Sequence, residues 1–331
     1  MITEISENGG GPERPFTTTD IAVLVPTLNR PGKLADLLES LATQSSPPGR
    51  VVIVDGASNA GPVVEAFANR LTIEYHQCHP PGQLRQRNLG LSKLSKQDRL
   101  VALLDDDIVL EEECLSEMVS CWNRAPWDKA GVAFNLVNGA PEKASLLHEL
   151  LGLGSRTPGQ VLRSGMTSAL FPATGDIKVQ WLPGGATVWR SEILLERPRE
   201  DIRARWAIAE DLLFSYPVGK EFPLIVAAQA RAHHFHVSDY AVRSSLHMYH
   251  GRTQTLWLFH FVTSNDDLSV WLYFWTLGLR IAGHFGRGIV RGERKDLHFA
   301  LGQIAAIWVI AGNVFLRRDR RKLLAEEGGG A

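Results

Sequence analysis

Ile21 to Pro26 (IAVLVP) is apolar on both faces and is followed, after Thr27, Asn29 and Arg30, by a stretch from Lys33 to Leu41 with helical period. A run without alternation leading into an amphipathic helix suits a buried parallel strand feeding a crossover. The unit repeats at once. Arg50 to Val54 is a second buried strand ending in Asp55, Gly56 and Ser58, and Val63 to Arg70 reads as its helix. Thr72 to Tyr75 predicts a third strand, Gln83 to Leu94 a helix, and Leu100 to Leu104 a fourth strand that runs straight into Asp105, Asp106 and Asp107. Further on, Glu112 to Trp122, Ile193 to Glu196 and Ala207 to Phe214 read as helices and Leu224 to Ala228 as one more strand. Pro126 to Pro183 is less regular, and the chain is mainly helical from Tyr240.

Three strands therefore end in polar clusters. In an open parallel sheet the carboxyl ends lie on one edge, where ligands bind, and right-handed crossovers keep the helices on the faces. The pattern predicts an α/β fold with one site assembled from residues far apart in the chain.

Composition narrows the partners. The 331 residues carry 35 Lys and Arg against 36 Asp and Glu, so no global basic field would draw in nucleic acid. Cys78, Cys114 and Cys121 form no CxxC pair and no metal-ligand spacing, which suits a reducing cytoplasm. Residues 1–19 are polar and Gly-rich without the pattern of a secretory signal, and are expected to be a disordered tail.

Three carboxylates at the end of a buried strand repel unless something positive neutralises them, and a divalent cation does so. Hard cations take oxygen ligands and share one or two carboxylates with substrate phosphates. On an extended chain Asp105 and Asp107 would face one site and Asp106 would point away. An isolated triple Asp is as readily a solvated turn or a helix cap; its place after a buried strand favours the site. Asp55, in VDGAS, can accept hydrogen bonds from a base or ribose.

The series VLVPTLNRPGKLADLLESL, VVIVDGASN, GQLRQRNLGL, LLDDDIVL, WLPGGATVWRSE and AEDLLFS resembles, in order and spacing, the motif set of family 2 glycosyltransferases, over roughly Ile21 to His236. That resemblance implies a GT-A fold, that is, a Rossmann-like, mostly parallel sheet flanked by helices. It also implies a nucleotide-diphosphate sugar donor, bound Mn²⁺ or Mg²⁺, and inversion at the anomeric carbon. Carried over, it places Pro26 and Asn29 in the nucleotide pocket, Asp55 on the base, and Arg87 and Asn88 beside the donor. It makes Asp105 a ribose or metal contact and Asp107 the principal metal ligand. Pro183, Gly184 and Gly185, with Trp189 and Arg190, match the loop that closes around donor and acceptor. Asp211 becomes the general base with Glu210 in reserve, since side chains about 100° apart on a helix do not serve one point equally. His234 or His236 is a candidate third metal ligand, and Arg252 is a candidate donor contact. The full Gln-x-x-Arg-Trp of processive members is absent, which weighs against polymer synthesis.

The expected organisation is a tail (1–19), a catalytic domain (20–240) and a C-terminal helical region (241–331) associated with membrane. Leu268 to Phe285 and Phe299 to Leu316 are aromatic-rich but interrupted by Arg280, His284, Gln303 and Asn313, short of the about 20 apolar residues a span needs. Trp271, Trp275 and Trp308 suit an interface, and the basic run Arg317 to Lys322 suits anionic headgroups. The expectation is a cytoplasmic protein, peripheral on the inner face of the cell membrane, acting on a cell-envelope glycan or lipid-linked acceptor. The alternatives are a nucleotidyltransferase, for which PTLNRPGK is a weak triphosphate loop, and a nucleotide-sugar-binding protein without turnover.

Overall fold

The computed structural model describes residues 14–95, 97–139, 144–197, 208–235, 244–315 and 324. The first half alternates strand and helix: β1 (Ile21–Thr27), α1 (Pro31–Ala42), β2 (Arg50–Asp55), α2 (Gly61–Phe67), β3 (Ile73–Gln77), α3 (Gln83–Leu91) and β4 (Leu100–Leu104). Next come β5 (Ile108–Leu110), α4 (Cys114–Trp122), β6 (Gly131–Leu136), α5 (Leu146–Leu150), β7 (Ile177–Val179), β8 (Ala186–Arg190) and α6 (Ser191–Glu196). The chain continues with α7 (Glu210–Glu221), β9 (Leu224–His234), α8 (Ser244–Thr263), α9 (Val270–Arg291) and α10 (Arg294–Phe315).

Strand β1 forms where the pattern predicts, because Ile21, Val23 and Val25 are sealed on one face and Ala22 and Leu24 on the other. Pro31 opens α1, where its missing N–H costs nothing, and Leu34, Leu37, Leu38 and Leu41 form the buried stripe that packs on the sheet. The strand order is β3-β2-β1-β4-β8-β6-β9-β5, with β7 paired to β9. β3, β2, β1 and β4 are parallel, so their carboxyl ends share an edge. Beyond β4 the sheet is mixed: β8 lies antiparallel between β4 and β6, and β5 and β7 are antiparallel to β9. β6 and β9 pair parallel and run in the direction of β4, so six of the nine strands point one way, as expected, and β5, β7 and β8 are reversed.

Two strands differ from expectation in a way that matters for the site. β6 and β8 lie within or beside the segment expected to be irregular; each is a five- or six-residue run buried on both faces, which carries no period. β9 runs past Ala228 to His234, and its second part alternates exposed Gln229 and Arg231 with buried Ala230 and Ala232. That period-2 pattern of small residues is the signal that would have extended it. Helix α7 begins at Glu210 rather than Ala207, which lies outside the described residues.

Part of the tail is packed. Phe16 is buried edge-on against Trp122, and its backbone exchanges hydrogen bonds with Asn123 at 2.8 and 2.9 Å. The boundary of any tail therefore falls before Arg14. At the other end α8, α9 and α10 share a second core with α7, built on Leu256, Trp257, Phe261, Tyr273 and Leu277. Gly251 and Gly302 bring α8 and α10 backbone to backbone: a methyl on Gly302 would lie 2.0 Å from the Met248 carbonyl oxygen. Among the described residues no helix is long and apolar enough to cross a membrane.

Candidate active site

The ends of β1 and β4, the start of α3, the turn before β8, the start of α7 and the end of β9 converge on two linked clefts. The outer one, about 440 Å³, is lined by Pro26, Thr27, Arg30, Gln83, the three aspartates and His234. The inner one, about 230 Å³, is lined by Arg87, Asp105, Gly184, Gly185, Glu210 and Asp211, with Gln83 and His234 common to both.

The acid cluster is not extended chain. β4 stops at Leu104, and Asp106 and Asp107 sit in a turn closed by the Ile108 amide donating to the Asp105 carbonyl at 3.2 Å. Alternation of faces therefore does not apply, and Asp106 lines the cleft with its neighbours. Its Oδ2 accepts from Thr27 Oγ1 at 2.7 Å and its Oδ1 lies 3.2 Å from Arg30. Burial pushes the Asp106 carboxyl up to about 6, against the pull of Thr27 and Arg30. Asp107 is bracketed by two groups, Arg30 Nη1 at 3.1 Å on Oδ2 and His234 Nε2 at 3.0 Å on Oδ1.

Asp105 turns toward α3. Arg87, 1% exposed, donates to Asp105 at 2.9 Å and to Glu210, so one guanidinium ties α3, the end of β4 and the start of α7 together. Gly184 and Gly185 are required by space: a methyl on Gly185 would fall 2.0 Å from the Asp105 carboxylate, and one on Gly184 within 2.8 Å of Glu210. Ala209 precedes α7 with φ 66°, a left-handed conformation that L residues rarely adopt and that aims the first turn of α7 at the cleft. Asp211 thereby reaches the inner cleft. Burial, and next the charge of Glu210, raise its carboxyl to about 7, with the Leu212 amide and Arg87 acting the other way.

Several sequence-predicted residues play other parts. Asp55 is fully buried and spends its oxygens on its own loop, accepting from the Ala57 amide at 2.7 Å, the Ala60 amide at 2.8 Å and the Tyr75 hydroxyl at 2.9 Å. Burial works to raise its pKa, but these donors together hold it below the usual value. It braces the β2 loop and lines neither cleft. Asn29 is exposed, with φ 57°, and its amide oxygen accepts from Asn59 at 3.2 Å. Asn88 is half-buried on α3 and also lines neither cleft. Trp189 is core, stacked edge-on with Phe214, and Arg190 donates to backbone carbonyls of Trp127 and Lys129, so neither belongs to the closing loop. Arg252 sits on α8, lining neither cleft, and His236 lies outside the described residues.

Gln86 was missed: buried beside Arg87, it donates to the Thr27 and Val54 carbonyls, both at 2.8 Å, and so pins the ends of β1 and β2. Its position one residue before Arg87 on a mostly polar helical segment carried no signal of that role.

Among the described residues no group of three or more His, Cys, Asp or Glu is arranged to hold a metal ion. Of the expected set, Asp107 and His234 lie 3.0 Å apart, Asp105 is paired with Arg87, and His236 lies outside the described residues.

The sheet order and the acid turn at the carboxyl edge of its parallel half define an α/β domain with its cleft at that edge. Residues 22–164 match the family model described as Glycosyl transferase family 2. An uncharacterized glycosyltransferase of Haemophilus influenzae is 36% identical over 95 residues, 28% of this chain and 32% of that protein. The chain therefore spans about a third of the length of that relative. A mannosyltransferase from Pyrobaculum calidifontis, solved with GDP-Man and Mn²⁺, superposes with TM-score 0.51 over 97% of this chain and 87% of its own, at 13% identity. S. aureus TarS in complex with UDP-GlcNAc gives 0.48 over 90% and 92%, at 15% identity. Residues 22–164 are thus similar to glycosyltransferase family 2, and the fold is GT-A with a helical C-terminal region.

Proposed function

We propose that the protein is an inverting, metal-dependent glycosyltransferase that moves a sugar from a nucleotide-diphosphate sugar to a hydroxyl of a cell-envelope glycan or lipid-linked acceptor. The observation that carries this reading is the position of Asp211, which lines the inner cleft together with Asp105 and Glu210 and has a carboxyl raised to about 7. A base of that pKa accepts a proton at neutral pH, which an ordinary surface aspartate does poorly.

The division of labour follows. Asp211 takes the proton of the acceptor hydroxyl as its oxygen bonds to the anomeric carbon. The bond from that carbon to the diphosphate breaks on the opposite face, so the configuration inverts in a single displacement. The glycine pair lets the loop backbone close directly on Asp105 and Glu210, and Arg87 fixes those two acids so that neither competes with Asp211. Asp107 and His234 would hold the cation, which when bound stabilises the charge that develops on the leaving diphosphate. The Pyrobaculum calidifontis enzyme makes GDP-mannose with Mn²⁺ a reasonable first donor to try.

The membrane-facing part of the reading draws on an exposed apolar surface. Leu146, Leu147 and Leu150 of α5 are all exposed, as are Trp271 (86%) and Trp275 (55%) of α9. The Trp275 indole donates to the Leu151 carbonyl at 3.2 Å, joining the two elements into one patch. Indole and leucine side chains so displayed suit the interfacial layer of a bilayer. The basic run Arg317 to Lys322 lies outside the described residues.

The test is nucleotide release from a panel of UDP-, GDP- and dTDP-sugars with Mn²⁺, with and without acceptor lipids and glycans. Release that needs both a donor and the cation supports the assignment; no release from any donor overturns it.

A further inference from the structure

Past Asp211 the inner cleft opens into a cavity of about 630 Å³ that shares Ala209 and Asp211 with it and is walled by α8 and α9. That volume is within the roughly 300–1,000 Å³ of small-molecule sites. Met166, Trp181 and Leu258 give it an apolar wall, and its charged or titratable lining consists of Asp211, His148, His284, Arg280 and Arg287.

Arg280 is the unusual member. Its Nη2 donates to the Gln254 amide oxygen at 2.5 Å and its Nη1 approaches the Met166 sulfur at 3.8 Å, and among the described residues no carboxylate pairs with it. Burial lowers the guanidinium pKa below its ordinary value, offset only by Tyr273. A guanidinium withdrawn from water with a neutral amide and a thioether for company is held at a cost that an anion arriving in the cavity would relieve. Arg287 adds a second guanidinium, tethered to His284 at 2.9 Å and to Asp296 at 3.5 Å but 47% exposed and so able to turn to a ligand.

Resting on the reading of Asp211 as the base, we propose that this cavity is the acceptor subsite and that it selects an acceptor bearing a phosphate or carboxylate. The anion sits on Arg280 and Arg287 in bidentate fashion, the sugar ring lies against Trp181 and Met166, and a hydroxyl of that ring faces Asp211. Neutral glycans lack the group that pairs the arginine.

The test is equilibrium binding of glucose 1-phosphate, methyl glucuronide and methyl glucoside to the full chain, with nucleoside diphosphate affinity measured alongside. Both anionic ligands should bind at least tenfold more tightly than the glucoside. Arg280→Met should remove that preference, Arg280→Lys should keep part of it, and nucleoside diphosphate affinity should stay the same in both. A phosphate preference points to a phosphate-bearing lipid or sugar as the source of the anion, and a carboxylate preference to a uronic acid. Equal binding of the three ligands, or an anionic preference that survives Arg280→Met, overturns the proposal. Should Arg280→Met not fold, Arg287→Met must lower the preference for the proposal to stand. The readout is binding, so a chain that transfers no sugar would sink the proposed activity and leave this result standing. Transfer to acceptors without anionic preference would sink this inference alone.

Discussion

The proposed donor side and the proposed acceptor side of the cleft handle charge in opposite ways. On the donor side every aspartate of the acid turn has its partner in the protein: Arg87 for Asp105, Thr27 and Arg30 for Asp106, Arg30 and His234 for Asp107. On the acceptor side, among the described residues, Asp211 has no ion pair and Arg280 has no carboxylate. The first arrangement is preorganised, so that binding exchanges one set of partners for another. On the reading proposed above, the second leaves groups whose counterparts are substrate atoms: a proton for Asp211 and an anion for Arg280. A residue compensated within the fold is easily taken for structure, and an uncompensated one marks where the ligand must act.

The largest expected effect tests the uncompensated side. Asp211→Asn should lower transfer by about 10²–10⁴-fold, the usual worth of a positioned base, while nucleotide affinity stays unchanged. A matching fall in nucleotide affinity would erase the distinction between the two sides. In the unaltered protein kcat/KM should climb with pH and level off above about 7, where the raised Asp211 carboxyl is ionised. Stability runs the other way. Folding raises this pKa, so the folded state holds the proton that the unfolded chain has released, and the contribution of Asp211 declines as pH rises from about 4 to 7. Urea titrations across that window should show the decline, and Asp211→Asn should flatten it.

Asp107→Ala probes the compensated side. It should cost about 10²–10³-fold in turnover and abolish the dependence of nucleotide binding on Mn²⁺, both read by titration with and without the cation. Retained Mn²⁺ dependence would move the cation elsewhere. Gly185→Ala should destabilise the fold by about 1–3 kcal/mol, because its methyl would occupy the place of the Asp105 carboxylate. A melting temperature unchanged from the parent would show that the turn can shift. The smallest effect concerns the approach to the acceptor side: Trp271→Ser with Trp275→Ser should weaken co-sedimentation with anionic vesicles roughly tenfold, given their exposed apolar area. Unaltered sedimentation would detach the membrane from the comparison.

How much of this could be read in advance depended on whether the signal was local. β1, β2 and β4 are continuous apolar runs with polar ends, and α1 has a clean buried stripe, so the parallel half and the position of the acid cluster, though not its turn, were legible to within a residue or two. Asp211 and the glycine pair were proposed from resemblance, and they line the inner cleft. The mixed half was not, because runs such as those of β6 and β8 are buried on both sides by partners far away in the chain. Asp55 illustrates the limit in reverse. Its sequence setting at a strand end is that of a ligand contact, yet three donors from its own loop and β3 fill its oxygens.

By itself the sequence determined the order of elements, the edge on which the polar clusters meet, and the kinds of acid that chemistry there would need, since periodicity and residue type are properties of short segments. Only the tertiary structure decided which acid is paired and which is left for the substrate. That outcome turns on Arg87 reaching both Asp105 and Glu210, on Arg30 and His234 meeting at Asp107, and on α9 carrying Arg280 into a cavity beside Asp211. These join residues from 18 to more than a hundred positions apart, where packing rather than local pattern sets which charges lie within reach of one another.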